Sequence, residues 1–460
     1  MLLISLLRSG VILEQHYSEP TCSPTRGAVL TGRYPINIGL HPGALTPLSP
    51  VGLPTNVTTL ADKLRSANYS THAVGKWHLG ICNKDYWPTS RGFDHFSGFL
   101  GGTTDYITHR TDGAECSMGI AGYDYREDYE VDDAASGTYD TYLIRDKAIE
   151  VITNHDVSHP LFLYLPFHAP HDPLQVDKSY QDMYSDIPDT SRQKYLGMVT
   201  ALDDAVGAII DSLKESELYE NSVIVFLSDN GGPGGNWPPT IGSYIMEYGA
   251  SNWPLRGSKL TLFEGGTRTV SFIHSPKYFV PRVETALFHA TDWFPTILNA
   301  AGLDHEDDLD GVDQWERLKD SSKPEPREEM LYNMFLPSDD IYGVWNGIDS
   351  WPPISAIRVG DWKYIWRAYG FSGWSTPAEQ GPDNDPGVPE EVTHQLFNLA
   401  ADPAERENLA ELEPDIALEL LNKLKATYER MGAAGNYSYP PPNPQGRPEN
   451  HGGIWGDGWC

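Results

Sequence analysis

Five short stretches carry residues that could gather around an anion. In CSPTRGAVLTGR (22–33), Pro24 suits the first turn of a helix and Gly32 its end, which puts Cys22 at or just before a helix N-terminus and Arg26 one turn in. Free backbone N–H groups and the positive end of the dipole favour an anion there by about 0.3–1 kcal/mol per exposed charge, and Arg26 adds to them. The place suits a thiolate or an anionic group of a ligand; the plainer reading is a buried structural cysteine. In GKWHLG, Lys76 and His78 stand two apart on an expected strand, so both side chains leave one face about 6.6 Å apart while Trp77 takes the other. LPFHAPHDPLQ ends an apolar run with His168 and His171 in a loop stiffened by proline. SVIVFLSDNGG ends another with Asp229 and Asn230, oxygen donors suited to Ca2+ or Mg2+ or, more plainly, to a turn. WPLRGSKLTLFEGGTR adds Arg256 and Lys259, which in a loop would ordinarily face water. Together they form the set of basic groups and oxygen donors that cleavage of an anionic ester requires.

To act together, these residues must meet at the carboxyl ends of strands. PLFLYLPF (160–167) and SVIVFLSDN (222–230) are near-continuous apolar runs, the mark of parallel strands buried on both faces, and both lead into candidate residues. Between them apolar side chains recur at helical spacing from Tyr195 to Leu213. Other helices are expected over about 139–154 and from near Thr59, with a strand through THAVGKWHLG. The alternation predicts an α/β fold, a mostly parallel sheet flanked by helices. The Gly- and Pro-rich stretch 231–253 reads as a long loop at a strand end, where such folds carry their sites. Composition shifts at KDSSKPEPREE (319–329), a polar linker. Beyond it MLYNMF, SAIRVGDWKYIWR and HQLFNL read as a small antiparallel sheet, followed by a helix from about Pro414 to Met431 and an irregular tail pinned by its tryptophans. Two domains are expected, 1–325 and 326–460.

The 460 residues carry 64 acidic against 33 basic side chains, a formal charge of -31, which argues against nucleic acid or an anionic membrane surface as partner. No run is long enough to cross a membrane. MLLISLLRSG lacks the basic leading region and cleavage site of a signal peptide and reads as an amphipathic helix before the strand-like GVILEQHY. Asn56-Val57-Thr58, Asn68-Tyr69-Ser70 and Asn436-Tyr437-Ser438 are glycosylation sequons, which act only in a secretory compartment. The four cysteines, Cys22, Cys82, Cys116 and Cys460, have no metal-like spacing.

These motifs resemble those of the sulfatase family and, within it, the animal arylsulfatase B group. CSPTRGAVLTGR fits the signature C-x-P-x-R. GKWHLG, PHDP, SDNGG, RGSK, HATDWFPT, LFNLAADPAERENLA and the terminal GGIWGDGWC follow in family order, so the resemblance spans nearly the whole chain. It implies an alkaline-phosphatase-like fold, a lysosomal or secreted protein and a sulfated glycosaminoglycan sugar as substrate. It also implies a Ca2+ ion held by Asp229, Asn230 and residue 22, and conversion of Cys22 to formylglycine by a formylglycine-generating enzyme. The hydrated aldehyde would be the nucleophile, Arg26 and Lys76 would steady the diol and metal-bound oxygens, and His78 would take the hydroxyl proton as sulfate is expelled. His171, not His168, matches the family position; with Lys259 it would bind sulfate and protonate the leaving oxygen.

One departure matters. The family opens with a buried strand ending in two metal-binding aspartates, whereas only about twenty residues precede Cys22 and hold no such pair; Asp132-Asp133, Asp203-Asp204, Asp307-Asp308 and Asp339-Asp340 all follow it. Asp229, Asn230 and the diol leave Ca2+ short of its usual roughly six to eight oxygens. The expectation is an N-terminally truncated sulfatase lacking an interior strand, low in Ca2+ and activity as it stands. Two alternatives stay open: a non-catalytic binder of sulfated glycans, and a phosphatase or phosphodiesterase of the same fold.

Overall fold

The computed structural model describes residues 2–111, 120–234, 240–241, 244–245, 247–335, 354–368, 373–380, 392–431 and 439–460. Helix α1 (Leu2–Ser9) leads into β1 (Val11–Leu13) and β2 (His16–Tyr17). Helix α2 (Cys22–Thr31) starts at Cys22 and stops at Gly32, whose φ of 67° lies in the left-handed region that glycine enters without strain. Helix α3 (Leu60–Ser66) opens on a capping box in which Thr59 and Asp62 side chains accept each other's backbone N–H. Next come β3 (Ser70–Lys76), β4 (His95–Phe99), β5 (Arg126–Glu127), β6 (Glu130–Val131), α4 (Asp140–Thr153) and β7 (Leu161–Tyr164). They are followed by α5 (Lys178–Asp182), the long α6 (Thr190–Glu215) and β8 (Ile224–Leu227). The long loop holds a short hairpin, β9 (Thr240–Ile241) with β10 (Tyr244–Ile245). After α7 (Glu264–Thr267) the chain returns through β11 (Ser271–His274), β12 (Arg282–Glu284), β13 (Phe288–His289), α8 (Trp293–Ala300) and α9 (Trp315–Lys319).

The sheet of this α/β layer is in two halves, β12-β1-β11-β8 and β7-β3-β4-β5-β6. Strand β3 runs parallel to β4 and β7, and β1 to β12, while β11 is antiparallel to both β1 and β8. Among the described residues β7 pairs only with β3, and β8 only with β11. Both strands are covered on both faces. Phe162 and Tyr164 of β7 pack towards Trp77 and Phe93, while Leu161 and Leu163 pack towards Ile152 and Ile209. Val225 and Leu227 of β8 pack towards Val11 and Ala28, and Ile224 and Phe226 towards Leu6 and Ile210. Helix α6 supplies Ile209 to one cluster and Ile210 to the other, so one helix lies across both halves. Yet every residue from Leu161 to Phe167 and from Ser222 to Asn230 is only half-buried, where the apolar runs predict full burial. With both faces covered the exposure falls on the outer edges of β7 and β8, a seam where the backbone groups have no strand partner among the described residues.

Strands β14 (Glu329–Phe335), β15 (Ile354–Val359), β16 (Trp362–Ala368) and β17 (Val392–Asn398) form the expected antiparallel sheet, with α10 (Pro414–Met431) against it. A buried ionic knot fastens this sheet to α7: Lys363 Nζ lies 2.9 Å from Glu264 Oε1 and 2.8 Å from Glu405 Oε1, with no exposure on any of the three. The hydroxyls of Tyr17 and Tyr332 donate to Glu264 at 2.7 and 3.1 Å. Burial raises Glu405 to about 7 against the pull of Lys363. Such a carboxyl holds its proton more tightly folded than unfolded, so its stabilising contribution is full below about 4.5 and lost as pH rises through 7.

The tail returns to the first layer. Tyr439 and Trp455 join the cluster of Leu30 and Trp77, and Cys460 is bonded to Cys82, 378 residues away. Cys22 is free, and Cys116 lies outside the described residues. Closing so long a loop constrains the unfolded chain by on the order of 5 kcal/mol. Cys460→Ser should therefore lower the melting temperature by roughly 5 °C, at about 2.1 cal/mol/K of unfolding entropy per residue. A calorimetric scan within about a degree of the parent would show that the bond contributes little.

Candidate active site

The first turn of α2 is fastened to two strand ends. Thr25 Oγ1 donates to the carbonyl of Asp229 at 2.5 Å. Arg26 Nε and Nη2 donate to Asp229 Oδ2 at 3.1 and 2.8 Å, and Nη1 donates to the carbonyl of Lys76 at 2.9 Å. One arginine thus ties together three of the five stretches. The Lys259 loop is held from both sides, by Leu260 N–H to the Pro20 carbonyl at 2.8 Å and Lys259 N–H to the Gly232 carbonyl at 3.1 Å. Leu260 takes a φ of 74°, a left-handed conformation costing a leucine on the order of 1 kcal/mol and sustained by that bond to the segment entering Cys22. Lys259 Nζ reaches to 3.1 Å from His171 Nε2. Cys22, only 1% exposed, lies near enough for a charge formed at residue 22 to act on both Arg26 and Lys76. The structure so gathers Cys22, Arg26, Lys76, Asp229, Asn230, Lys259 and His171 at one end of the strands.

His78 requires a correction of detail. Strand β3 stops at Lys76, and His78 has a φ of 60°, so the pair does not project from one strand face. The reason is that Trp77 and His78 send their N–H groups to the carbonyls of Phe99 and Leu100 as the chain turns. His78 Nε2 donates to the Leu45 carbonyl at 2.8 Å, and Leu45 N–H donates to Ser23 Oγ at 3.1 Å, which ties the histidine to α2. Its Nδ1 is buried with no partner, a free acceptor.

The other two candidates are structural. His168 is buried, stacked on Tyr106 at 4.1 Å, hydrogen-bonded to Thr103 Oγ1 at 3.0 Å and 3.3 Å from Asp140. Arg256 lies on Phe263 at 4.1 Å and Trp374 at 4.8 Å. Sequence reading missed Thr25, although it fills the variable position just before Arg26. It also missed the Lys363 knot, whose members are too distant in sequence to signal one another.

Burial lowers the pKa of Lys76, with Arg26 and Lys259 adding to it and Cys22 and Asp229 opposing. Burial and the charges of Lys259 and Lys76 push His171 well below 6.5; burial and Lys76 do the same to His78. Burial alone would raise Asp229, but Arg26, Lys76 and Lys259 overcome it and hold the carboxyl at about 2. Its ion pair is thus present above 3.8 and lost as pH falls through 2. Two neutral histidines and three cations facing one carboxylate make a positive pocket in a strongly acidic chain.

A cation finds less here. Asn230 Oδ1 is buried without a partner, the kind of orphaned acceptor a metal satisfies. Asp229 Oδ2, however, already accepts from Arg26, and no group of three His, Cys, Asp or Glu among the described residues could hold a metal. Asp229 and Asn230 by themselves do not make a Ca2+ site.

The family model described as Sulfatase matches residues 2–303. The chain belongs to the sulfatase family. This sulfatase is 38% identical over 477 residues to arylsulfatase J of Mus musculus, a match covering 98% of the chain and 75% of the relative. It is 28% identical over 429 residues to arylsulfatase A of Homo sapiens, covering 88% and 78%. Human N-acetylgalactosamine-6-sulfatase is 30% identical over 317 residues, 66% of this chain and 58% of that one. Among solved structures, Ps i-CgsB in complex with k-i-k-neocarrahexaose gives a TM-score of 0.75 at 26% identity, over 95% of this chain and 89% of that one. The fold is the alkaline-phosphatase-like α/β fold of sulfatases, and the enzyme is a sulfuric ester hydrolase. No helix among the described residues is long and apolar enough to cross a membrane.

Proposed function

We propose that this sulfatase is arylsulfatase B-like and removes sulfate from a sulfated sugar of glycosaminoglycan type, through a formylglycine made from Cys22 by a formylglycine-generating enzyme. The observation that carries the reading is the convergence of Cys22, Arg26, Lys259 and His171 in a positive pocket at the start of α2. A bound sugar in the Ps i-CgsB complex supports the carbohydrate half of the reading. Formylglycine, once hydrated, supplies a hydroxyl that attacks sulfur and a second one whose deprotonation releases sulfate. Arg26 orients residue 22 and steadies negative charge on it. Lys259 binds the sulfate oxygens. His171 gives a proton to the leaving oxygen from Nε2, and His78 accepts one at Nδ1. If Ca2+ joins the site, Asp229 and Asn230 furnish only part of its shell. The Cys82–Cys460 bond and the exposed sequon at Asn56 support a lysosomal or secreted location. Protein matured in a eukaryotic secretory host should hydrolyse 4-nitrocatechol sulfate in preference to nitrophenyl phosphate; the reverse preference would overturn the proposal.

The pH profile tests His171. Its Nδ1–H donates to the Asp172 carbonyl at 2.8 Å, leaving Nε2 to accept from Lys259, so the acid form requires a proton on Nε2. Because the free-site pKa lies well below 6.5, kcat/KM should rise as pH falls from 6.5. His171→Gln should erase that limb and lower the rate about 10²- to 10⁴-fold. A parent profile flat from about pH 4 to 7 would remove His171 as the acid.

A further inference from the structure

We propose that Arg406, resting on Trp253 and Trp374, is an anion subsite that binds a second charged group of a sulfated glycan, a carboxylate or another sulfate, beside the sugar being cleaved. The proposal rests on the sulfatase reading above and extends it to the length and charge of the substrate.

The subsite is built onto the backbone that carries Lys259. Asn252 Nδ2 donates to the carbonyls of Gly232 and Gly257 at 2.8 and 3.3 Å, and Asn252 Oδ1 accepts Gly232 N–H at 2.9 Å. The same Gly232 carbonyl accepts Lys259 N–H, so Trp253 directly follows a residue fastened to the wall of the pocket. From the other side Gly257 N–H donates to the Gly373 carbonyl at 2.8 Å, fixing the approach of Trp374. The Trp374 indole N–H in turn donates to the Ala404 carbonyl at 2.8 Å, two residues before Arg406. The Arg406 guanidinium then lies 5.4 Å from the centre of the Trp253 ring and 5.0 Å from that of Trp374.

Its chemistry points outward. Arg406 is exposed and has no acidic partner among the described residues, whereas Arg26, Arg33, Arg192, Arg317 and Arg327 each face a carboxylate. In a chain with 64 acidic against 33 basic residues, an exposed arginine over two tryptophans and without a carboxylate partner among the described residues is suited to an anion from outside. The guanidinium lies over the two rings, and its fork of N–H groups has no hydrogen-bond partner among the described residues. That fork matches the paired oxygens of a carboxylate or sulfate, and a lysine could not copy it. A monosulfated monosaccharide seated at Lys259 has no second charge to offer; a chain of acidic sugars does.

The test compares a chondroitin sulfate tetrasaccharide with 4-nitrocatechol sulfate. Binding of the tetrasaccharide to the full chain, followed by tryptophan fluorescence, should weaken at least tenfold in Arg406→Glu and clearly in Arg406→Lys, and should fade with added salt. Turnover of 4-nitrocatechol sulfate by the matured variants should stay within about twofold of the parent. Tetrasaccharide binding unchanged in Arg406→Glu, or both probes weakened equally, would overturn the subsite. Arg406-dependent binding without any sulfate ester hydrolysis by matured protein would uphold the subsite and refute the catalytic reading instead.

Discussion

Cys22→Ala should abolish turnover of 4-nitrocatechol sulfate by protein from a eukaryotic secretory host, a loss on the order of 10⁴-fold or more, while the protein still folds. Residue 22 is the first of α2, and Thr21 before it makes no side-chain cap, so the free N–H groups of this turn remain available to a charge developing on residue 22. Arg26 is held one turn on by Asp229, and Lys76 is near enough to feel the same charge. Removing the nucleophile from a site whose groups act as a unit costs about as much as removing the whole unit. Trimming one sulfur from a small buried side chain costs the fold about 1 kcal/mol. Loss of activity with little loss of melting temperature therefore separates chemistry from structure. Cys22→Ser sharpens the test, because a phosphatase of this fold would work through a hydroxyl at that position. Mass spectrometry of tryptic peptide 9–26 in active parent protein should find the thiol converted to the aldehyde. Full activity in Cys22→Ala, or an intact thiol in active protein, would end the formylglycine reading.

Local signals were readable wherever a few neighbouring residues decide the outcome. Pro24 and Gly32 bracket α2, Thr59 with Asp62 opens α3, and the apolar spacing from Tyr195 marks α6. The same holds for residues at the ends of apolar runs, since a strand of either half-sheet must deliver whatever follows it to the sheet edge. What escaped depends on contacts between distant residues. His78 turns out of strand geometry because the carbonyls of Phe99 and Leu100 capture the backbone, and nothing in GKWHLG announces that. Lys363 reads as an ordinary polar position on a strand until Glu264 and Glu405 close around it. Breaking such a buried trio leaves an unpaired charge, so it fixes how the second sheet sits against α7 more than it adds to net stability. Arg256 and Lys259, three residues apart in one loop, could not be sorted into a packed and a chemical role until Phe263 and Trp374 were seen to cover the first.

The second large effect concerns the seam. An apolar strand of about seven residues ending in Asp-Asp, fused ahead of α1, should raise the melting temperature and confer stoichiometric Ca2+ binding and higher activity. Strands β7 and β8 both end at the pocket, for the Pro166 carbonyl accepts Lys76 N–H and Asp229 meets Arg26. A strand laid between them and parallel to both would satisfy two rows of free backbone groups at about 1 kcal/mol net per bond. It would also complete the burial of Leu161–Tyr164 and Ile224–Leu227, at roughly 25 cal/mol per Å² of apolar surface. Its carboxyl end would emerge beside Arg26, Lys76 and Asp229, where the positive excess offsets the charge of two more carboxylates. Those carboxylates, with Asp229 and the orphaned Asn230 Oδ1, approach the number of oxygens a Ca2+ ion requires. Differential scanning calorimetry and equilibrium dialysis with Ca2+ read the two effects separately. A fusion ending in Asn-Asn should keep the thermal gain and lose the metal, because it closes the seam without the charge. Stoichiometric Ca2+ with full activity in the chain as it stands would show instead that the seam has no part in the chemistry.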